Sequence, residues 1–149
     1  RNTMEVNGGN RISQIKRLSD RIFERILDDK GIDAFNGAQG RILYILWQED
    51  NISLRDISER TSLAPTTLTS MIDRMEESGL VRRVSDSKDR RKILLALTDK
   101  ARKLHGDYTE VSSQMTRIFY SGFTDEEIGQ CEKLLEKIYN NLKSYNERK

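Results

Sequence analysis

The stretch LVRRVSDSKDRRKILLALT, Leu80 to Thr98, decides how the rest of this chain is read. Its two ends alternate. Leu80 to Val84 and Ile93 to Leu97 read as short strands of period two, with Ile93, Leu95 and Leu97 on one face. The middle, Ser85 to Lys92, is too polar to be anything but an exposed hairpin tip. Between Leu80 and Leu97 stand Arg82, Arg83, Lys88, Arg90, Arg91 and Lys92 against Asp86 and Asp89. That is a local net charge of +4 on a chain whose total is +2, so the remainder sums to −2. A short basic element on a near-neutral body is an electrostatic footprint for a polyanion. A solvated hairpin tip carries similar charges, so the neighbouring elements have to separate the two readings.

Immediately upstream, a helix is predicted from Pro65 to Ser78. Pro65 suits its first turn, where the missing N–H would be unpaired anyway. Leu68, Met71, Ile72 and Met75 form its inward face at spacings of three and four, and Gly79 stops it. A shorter helix precedes it, starting at Ser53 with Asp56 three residues on, a capping-box-like arrangement. Leu54 and Ile57, with Ser58, are its expected buried side, and Glu59 to Ser62 separate it from the next helix. Further back, Ile42, Leu43, Ile45, Leu46 and Trp47 make a helix apolar around most of its circumference, hence central and buried, stopping near Asp50-Asn51. The first stripe, Ile15, Leu18, Ile22 and Ile26, starts from Arg11 and ends at Asp28, Asp29 and Gly31. The residues up to Asn10 read as a frayed start.

Downstream, Thr98 and Asp99 are expected to cap one long helix carrying Leu104, Tyr108, Val111, Met115 and Ile118, ending at Gly122. Thr124 then caps a last helix, with Asp125, Glu126 and Glu127 in its positive first turn. Its stripe is Ile128, Cys131, Leu135, Ile138, Leu142 and Tyr145. Three amphipathic flanking helices present more apolar surface than the middle of the chain can cover. A second copy of the chain is therefore expected to cover the rest.

Composition bounds the function classes. The 149 residues suit one domain with appended helices, charged residues reach 34 %, and a single proline permits a mostly helical chain. The longest apolar run, Ile42 to Trp47, is far short of the roughly 18–20 residues of a membrane span. No signal-peptide pattern opens the chain, and one cysteine excludes an internal disulfide framework. The expectation is a soluble cytoplasmic protein with no membrane partner.

The order helix, helix, tight turn, helix, strand, basic tip, strand is the layout of a winged helix-turn-helix. The fold class expected is mainly α with a small β-hairpin wing. It divides into an N-terminal arm and dimerisation helix over 1–35, a winged helix-turn-helix over 36–98 and C-terminal dimerisation helices over 99–149. In that layout the helix from Pro65 lies in the major groove of DNA. Pro65, Thr66, Thr67 and Ser70 would face bases or phosphates through hydroxyls and methyl groups. The free N–H groups of the helix start attract phosphate, and Arg74, one turn later, reaches the backbone. Serines and threonines are common at any helix start, so this helix alone proves little.

The wing is more specific. Asp89-Arg90-Arg91-Lys92-Ile93-Leu94-Leu95-Ala96-Leu97-Thr98 resembles the wing signature of the MarR family of bacterial regulators, Asp-x-Arg followed by an apolar strand ending in Leu-Thr. Leu68-Thr69-Ser70-Met71-Ile72-Asp73-Arg74-Met75, with Gly79-Leu80-Val81, is similar to that family's recognition helix and the start of its wing. The flanking helices also fit in number, order and length, so the resemblance spans nearly the whole chain. It implies that Arg91 enters the minor groove and that Asp89 holds the wing arginine by a salt bridge, with Lys88 and Arg90 beside them and Thr69 on the recognition helix. Narrow minor grooves concentrate negative potential and suit arginine. Many members carry arginine where this chain has Ser70, so one contact is weaker or absent here and sequence preference can differ.

Other residues offer less. Cys131 sits on the apolar stripe of the last helix, where a cysteine is usually an inert small hydrophobe. His105, the only histidine, cannot found a metal site alone. No nucleophile has a matching base, and no phosphate-cradling glycine motif occurs, so no enzyme and no cofactor are expected. Phe35, Tyr44, Trp47 and Tyr108 are aromatic candidates for lining an effector pocket, although aromatic residues at such places are more often core. The function expected is a homodimeric transcriptional regulator, a repressor, of a palindromic double-stranded operator, released by a small aromatic effector. The competing reading is a winged-helix protein–protein interaction module without specific DNA binding.

Overall fold

The computed structural model describes residues 4–148. In chain order the elements are α1 (Gly8–Asp29), α2 (Gly37–Gln48), β1 (Ile52–Ser53), α3 (Leu54–Thr61), α4 (Pro65–Glu77), β2 (Val81–Ser85), β3 (Ile93–Leu97), α5 (Asp99–Arg102), α6 (His105–Phe119) and α7 (Asp125–Asn146). This is the mainly helical winged helix-turn-helix that the sequence predicts, with two elements more: the short strand β1, and α5, split from the helix expected after Thr98. The sheet has three antiparallel strands in the order β1-β3-β2. β2 and β3 form the expected hairpin, with Val81 opposite Leu97 and Ser85 opposite Ile93. β1 pairs Ile52 with Leu95 on the other edge of β3. Two residues are too few to show a period of two, so β1 is invisible in the sequence.

The helix starts follow from side-chain caps. Ser53 Oγ accepts from the Asp56 N–H at 3.1 Å and opens α3. Thr124 and Glu127 cap α7 reciprocally, and so do Asn36 and Gln39 at α2. α1 begins at Gly8 rather than Arg11, because Arg11 already donates to the Asn7 carbonyl at 2.9 Å. The single long helix expected after Thr98 is instead two. Thr98 caps only α5, and Leu104 N–H turns back to the Ala101 carbonyl at 3.1 Å. The same carbonyl also accepts from Trp47 Nε1–H at 3.2 Å.

The chain divides into two compact units, one ending at Met115 and one beginning at Thr116. The core of the first is centred on α2, whose Ile42, Leu43 and Leu46 are fully buried with Ile57, Ile72, Met75, Leu80, Leu95 and Val111. Each such side chain contributes roughly 1.5–3 kcal/mol. Of the face expected on β3, Leu95 and Leu97 are buried, while Ile93, next to the hairpin tip, is 38 % exposed.

The expected surplus of apolar surface is smaller than the stripes suggest. On α1, Ile26 is buried and Ile22 packs on the core, but Ile15 and Leu18 are exposed. On α6, Val111 is buried and Leu104, Tyr108 and Met115 pack against the core, leaving Ile118 exposed. In the second unit α7 has no buried residue, and Leu135, Ile138, Leu142 and Tyr145 are exposed. Among the described residues no helix is long and apolar enough to cross a membrane.

Candidate nucleic-acid interface

The turn between α3 and α4 aims the second helix outward. Ser62 adopts φ +59°, a conformation that costs a non-glycine residue energy and needs outside support. Thr61 supplies it. Its buried hydroxyl donates to the Ile57 carbonyl at 2.7 Å and accepts from Leu63 N–H at 3.3 Å. Ser58 Oγ donates to the Leu63 carbonyl at 2.8 Å. Ser58 lies on the side of the short helix expected to face inward, whereas Thr61 is expected only as part of the linker.

With Leu68, Met71, Ile72 and Met75 turned into the core, the opposite face of α4 is exposed, carrying Pro65, Thr66, Thr67, Thr69, Ser70 and Arg74. No side chain caps the start of α4, so the amide groups of its first turn are open to an outside acceptor. The hydroxyls differ in availability. Thr69 donates back to the Pro65 carbonyl at 2.9 Å, and Ser70 Oγ accepts from Arg74 Nη1 at 3.2 Å. Thr66 and Thr67 make no side-chain hydrogen bond within the described chain. Arg74 is therefore steered along the helix by Ser70.

The wing tip folds on its two aspartates. Asp86 accepts from Lys88 N–H and Asp89 from Arg91 N–H, both at 3.0 Å. Asp89 Oδ1 also lies 3.3 Å from Arg91 Nε. The Arg91 side chain is nonetheless 91 % exposed. Its guanidinium is held from one edge while the other points outward, and Lys88 and Arg90 are exposed beside it.

A second arginine, which the sequence reading counted only as wing charge, ties the hairpin to α4. Arg83 on β2 reaches Asp73 with Nη2 at 2.7 Å and Glu76 with Nη1 at 2.6 Å. Its backbone N–H adds a bond to Glu76 Oε2 at 3.2 Å. The hydrogen bond that Arg83 donates to Asp73 leads in raising the guanidinium pKa, and partial burial opposes it. Asp73 and Glu76, three apart, lie on one side of α4. That spacing was readable, but nothing in the sequence says that β2 passes beside them.

The four aromatic residues do meet. Tyr108 is the hub, with ring centroids 5.3 Å from Trp47, 5.6 Å from Tyr44 and 6.1 Å from Phe35. A Cβ added at Gly40 would stand 3.0 Å from the Tyr108 ring, so the cluster is closely packed on that side. Burial pushes the Tyr108 phenol pKa up, against the opposing charge of Arg41. Tyr44, 42 % exposed, is the open edge. His105 packs against Trp47 with its ring tilted, 4.9 Å between centroids.

Residues 35–93 match the MarR family model. The chain is 43 % identical over 65 residues to the HTH-type transcriptional regulator TtmR of Methylorubrum extorquens (strain PA1), covering 44 % of this chain and 33 % of that protein. It is 30 % identical over 100 residues to the homoprotocatechuate degradative operon repressor of Escherichia coli, covering 67 % of this chain and 68 % of the relative. The chain thus spans a third of the first relative's length and about two thirds of the second's. In structure it is similar to a MarR transcriptional regulator from Methanosarcina mazei Go1, with a TM-score of 0.81 and 26 % identity over 92 % of this chain and 96 % of that one. The wing motif, the exposed helix and these relatives agree: the chain belongs to the MarR family of transcriptional regulators.

Proposed function

We propose that this chain is a homodimeric repressor that binds a palindromic operator, with α4 in the major groove and Arg91 in the minor groove. The observation that carries the reading is the pairing of an uncapped, hydroxyl-lined start of α4 with an exposed arginine anchored by Asp89. In this reading Thr66, Thr67 and the α4 amide groups take phosphate and base edges. Pro65 and Thr69 supply apolar contact, Arg74 and Ser70 work as a pair, and Lys88 and Arg90 neutralise phosphates. Residues 36–98 read DNA, and 1–35 with 99–149 carry the dimer through the exposed stripes of α1 and α7. No residue is assigned catalysis, and the cytoplasm is its place of work. The homoprotocatechuate degradative operon repressor of E. coli, to which the chain is similar, supports the repressor role.

The test is selection from random-sequence DNA, then titration of the best site at several salt concentrations. A palindrome with half-sites about one helical turn apart, bound less tightly as salt rises, is the expected result. Weak binding without enrichment would move the chain to the protein-interaction reading.

An aromatic effector is the second part of the proposal. A small aromatic acid entering at Tyr44 would have to part rings now in contact. It would loosen DNA binding only by favouring the parted state. Trp47 shares the Tyr108 hub, so its fluorescence reports entry. A shift or quench with a panel of small aromatic acids is expected, and an unchanged spectrum across the panel would remove the effector from the proposal.

A further inference from the structure

Major- and minor-groove contacts lie at a spacing set by the DNA. A protein that uses both has to present its helix and its wing at one fixed separation, or lose ordering entropy when it binds. Here the covalent link between α4 and β2 is the turn at Gly79, which has φ +79°. The polar tie from the exposed flank of α4 to the hairpin is Arg83, with its three hydrogen bonds to Asp73 and Glu76. Its side chain is 26 % exposed, while those of Asp73 and Glu76 are 59 % and 41 % exposed. The strand carrying Arg83 runs to Ser85, which pairs with Ile93 just beyond Arg91. A guanidinium fork that holds two carboxylates at once fixes direction as well as distance.

We propose that Arg83 is a positioning residue for DNA recognition, a cross-brace that holds the wing, and through it Arg91, at a set separation from α4. This rests on the DNA-binding reading above. Arg83 acts through other residues, and its guanidinium is not itself a phosphate contact.

The alternative, that Arg83 merely offsets two carboxylates near the phosphates, gives the opposite sign in one experiment. In the double variant Asp73→Asn/Glu76→Gln two negative charges vanish beside a polyanion. Charge alone then tightens binding. Loss of the brace weakens it. The amides keep the shape of the exposed side chains they replace, and a circular dichroism spectrum checks the fold.

The expected result is operator affinity on the order of tenfold weaker in the double variant, with binding to unrelated DNA at low salt equal or tighter. Arg91→Ala is then expected to cost less in the double variant than in the natural chain, because a loosely held wing has less to lose. Operator binding as tight as or tighter than the natural chain's, with the effect of Arg91→Ala undiminished, would overturn the role of Arg83 while leaving the DNA reading intact. A natural chain that enriches no sequence would overturn the DNA reading itself, and the brace with it.

Discussion

Replacing Ile72 by alanine is expected to destabilise the protein by about 2–5 kcal/mol. Ile72 is fully buried on the inward face of α4, in one cluster with Leu68, Met75 and Leu80. Truncation removes apolar atoms from a close-packed interior that relaxes only in part, so a cavity term adds to the transfer term. Total stabilities of about 5–15 kcal/mol make this a large share. The side chain also sits beneath the helix that presents Thr66, Thr67 and Arg74, so stability and the orientation of the candidate interface depend on the same packing. Urea unfolding of both proteins at one protein concentration measures the effect, concentration being matched because the proposed dimer's apparent stability would depend on it. A midpoint shift worth less than about 1 kcal/mol, below the Ile→Ala range, would mean that α4 is not seated as described.

Arg91→Ala is expected to do the reverse, costing about 1–3 kcal/mol in operator affinity and almost nothing in stability. Its side chain is 91 % exposed and its one ion pair, with Asp89, is at the surface, where such pairs contribute about 0–1 kcal/mol. The loss corresponds to roughly five- to 150-fold in affinity. Titration against the selected operator and against unrelated DNA separates base-dependent from charge-dependent loss. Unchanged affinity for both would remove the wing from the mechanism. The contrast between these two substitutions is itself informative: one acts on the fold with the interface following, and the other on the interface alone.

Much of this was legible in the amino-acid order because it is local. Ser53 and Thr124 start helices within three residues of themselves, Gly79 stops one with a positive φ, and the alternation on either side of Ser85 to Lys92 is the hairpin. The wing motif Asp89-Arg90-Arg91 folds through contacts two residues apart. The misreadings were of three kinds. β1 was too short to carry a pattern, α1 starts three residues before its apolar stripe would show it, and the break between α5 and α6 falls at a carbonyl shared with Trp47, 54 residues away.

By itself, then, the sequence determined the order and kind of the longer elements, the charge of the wing and the family to which the chain belongs. Each of these depends on residues within a turn or a hairpin of one another, and periodicity and motif spacing report such neighbours directly. Only the tertiary structure decided which stripes are covered: Val111 disappears into the core while Leu142, on an equally regular stripe, remains exposed. It also decided that Arg83 spends its charge on Asp73 and Glu76 while Arg91 keeps its guanidinium in solvent. The reason is physical. Burial and ion pairing depend on what another element brings to within a few ångströms, and two arginines eight positions apart on one basic hairpin look alike until the helix beside one of them is in place.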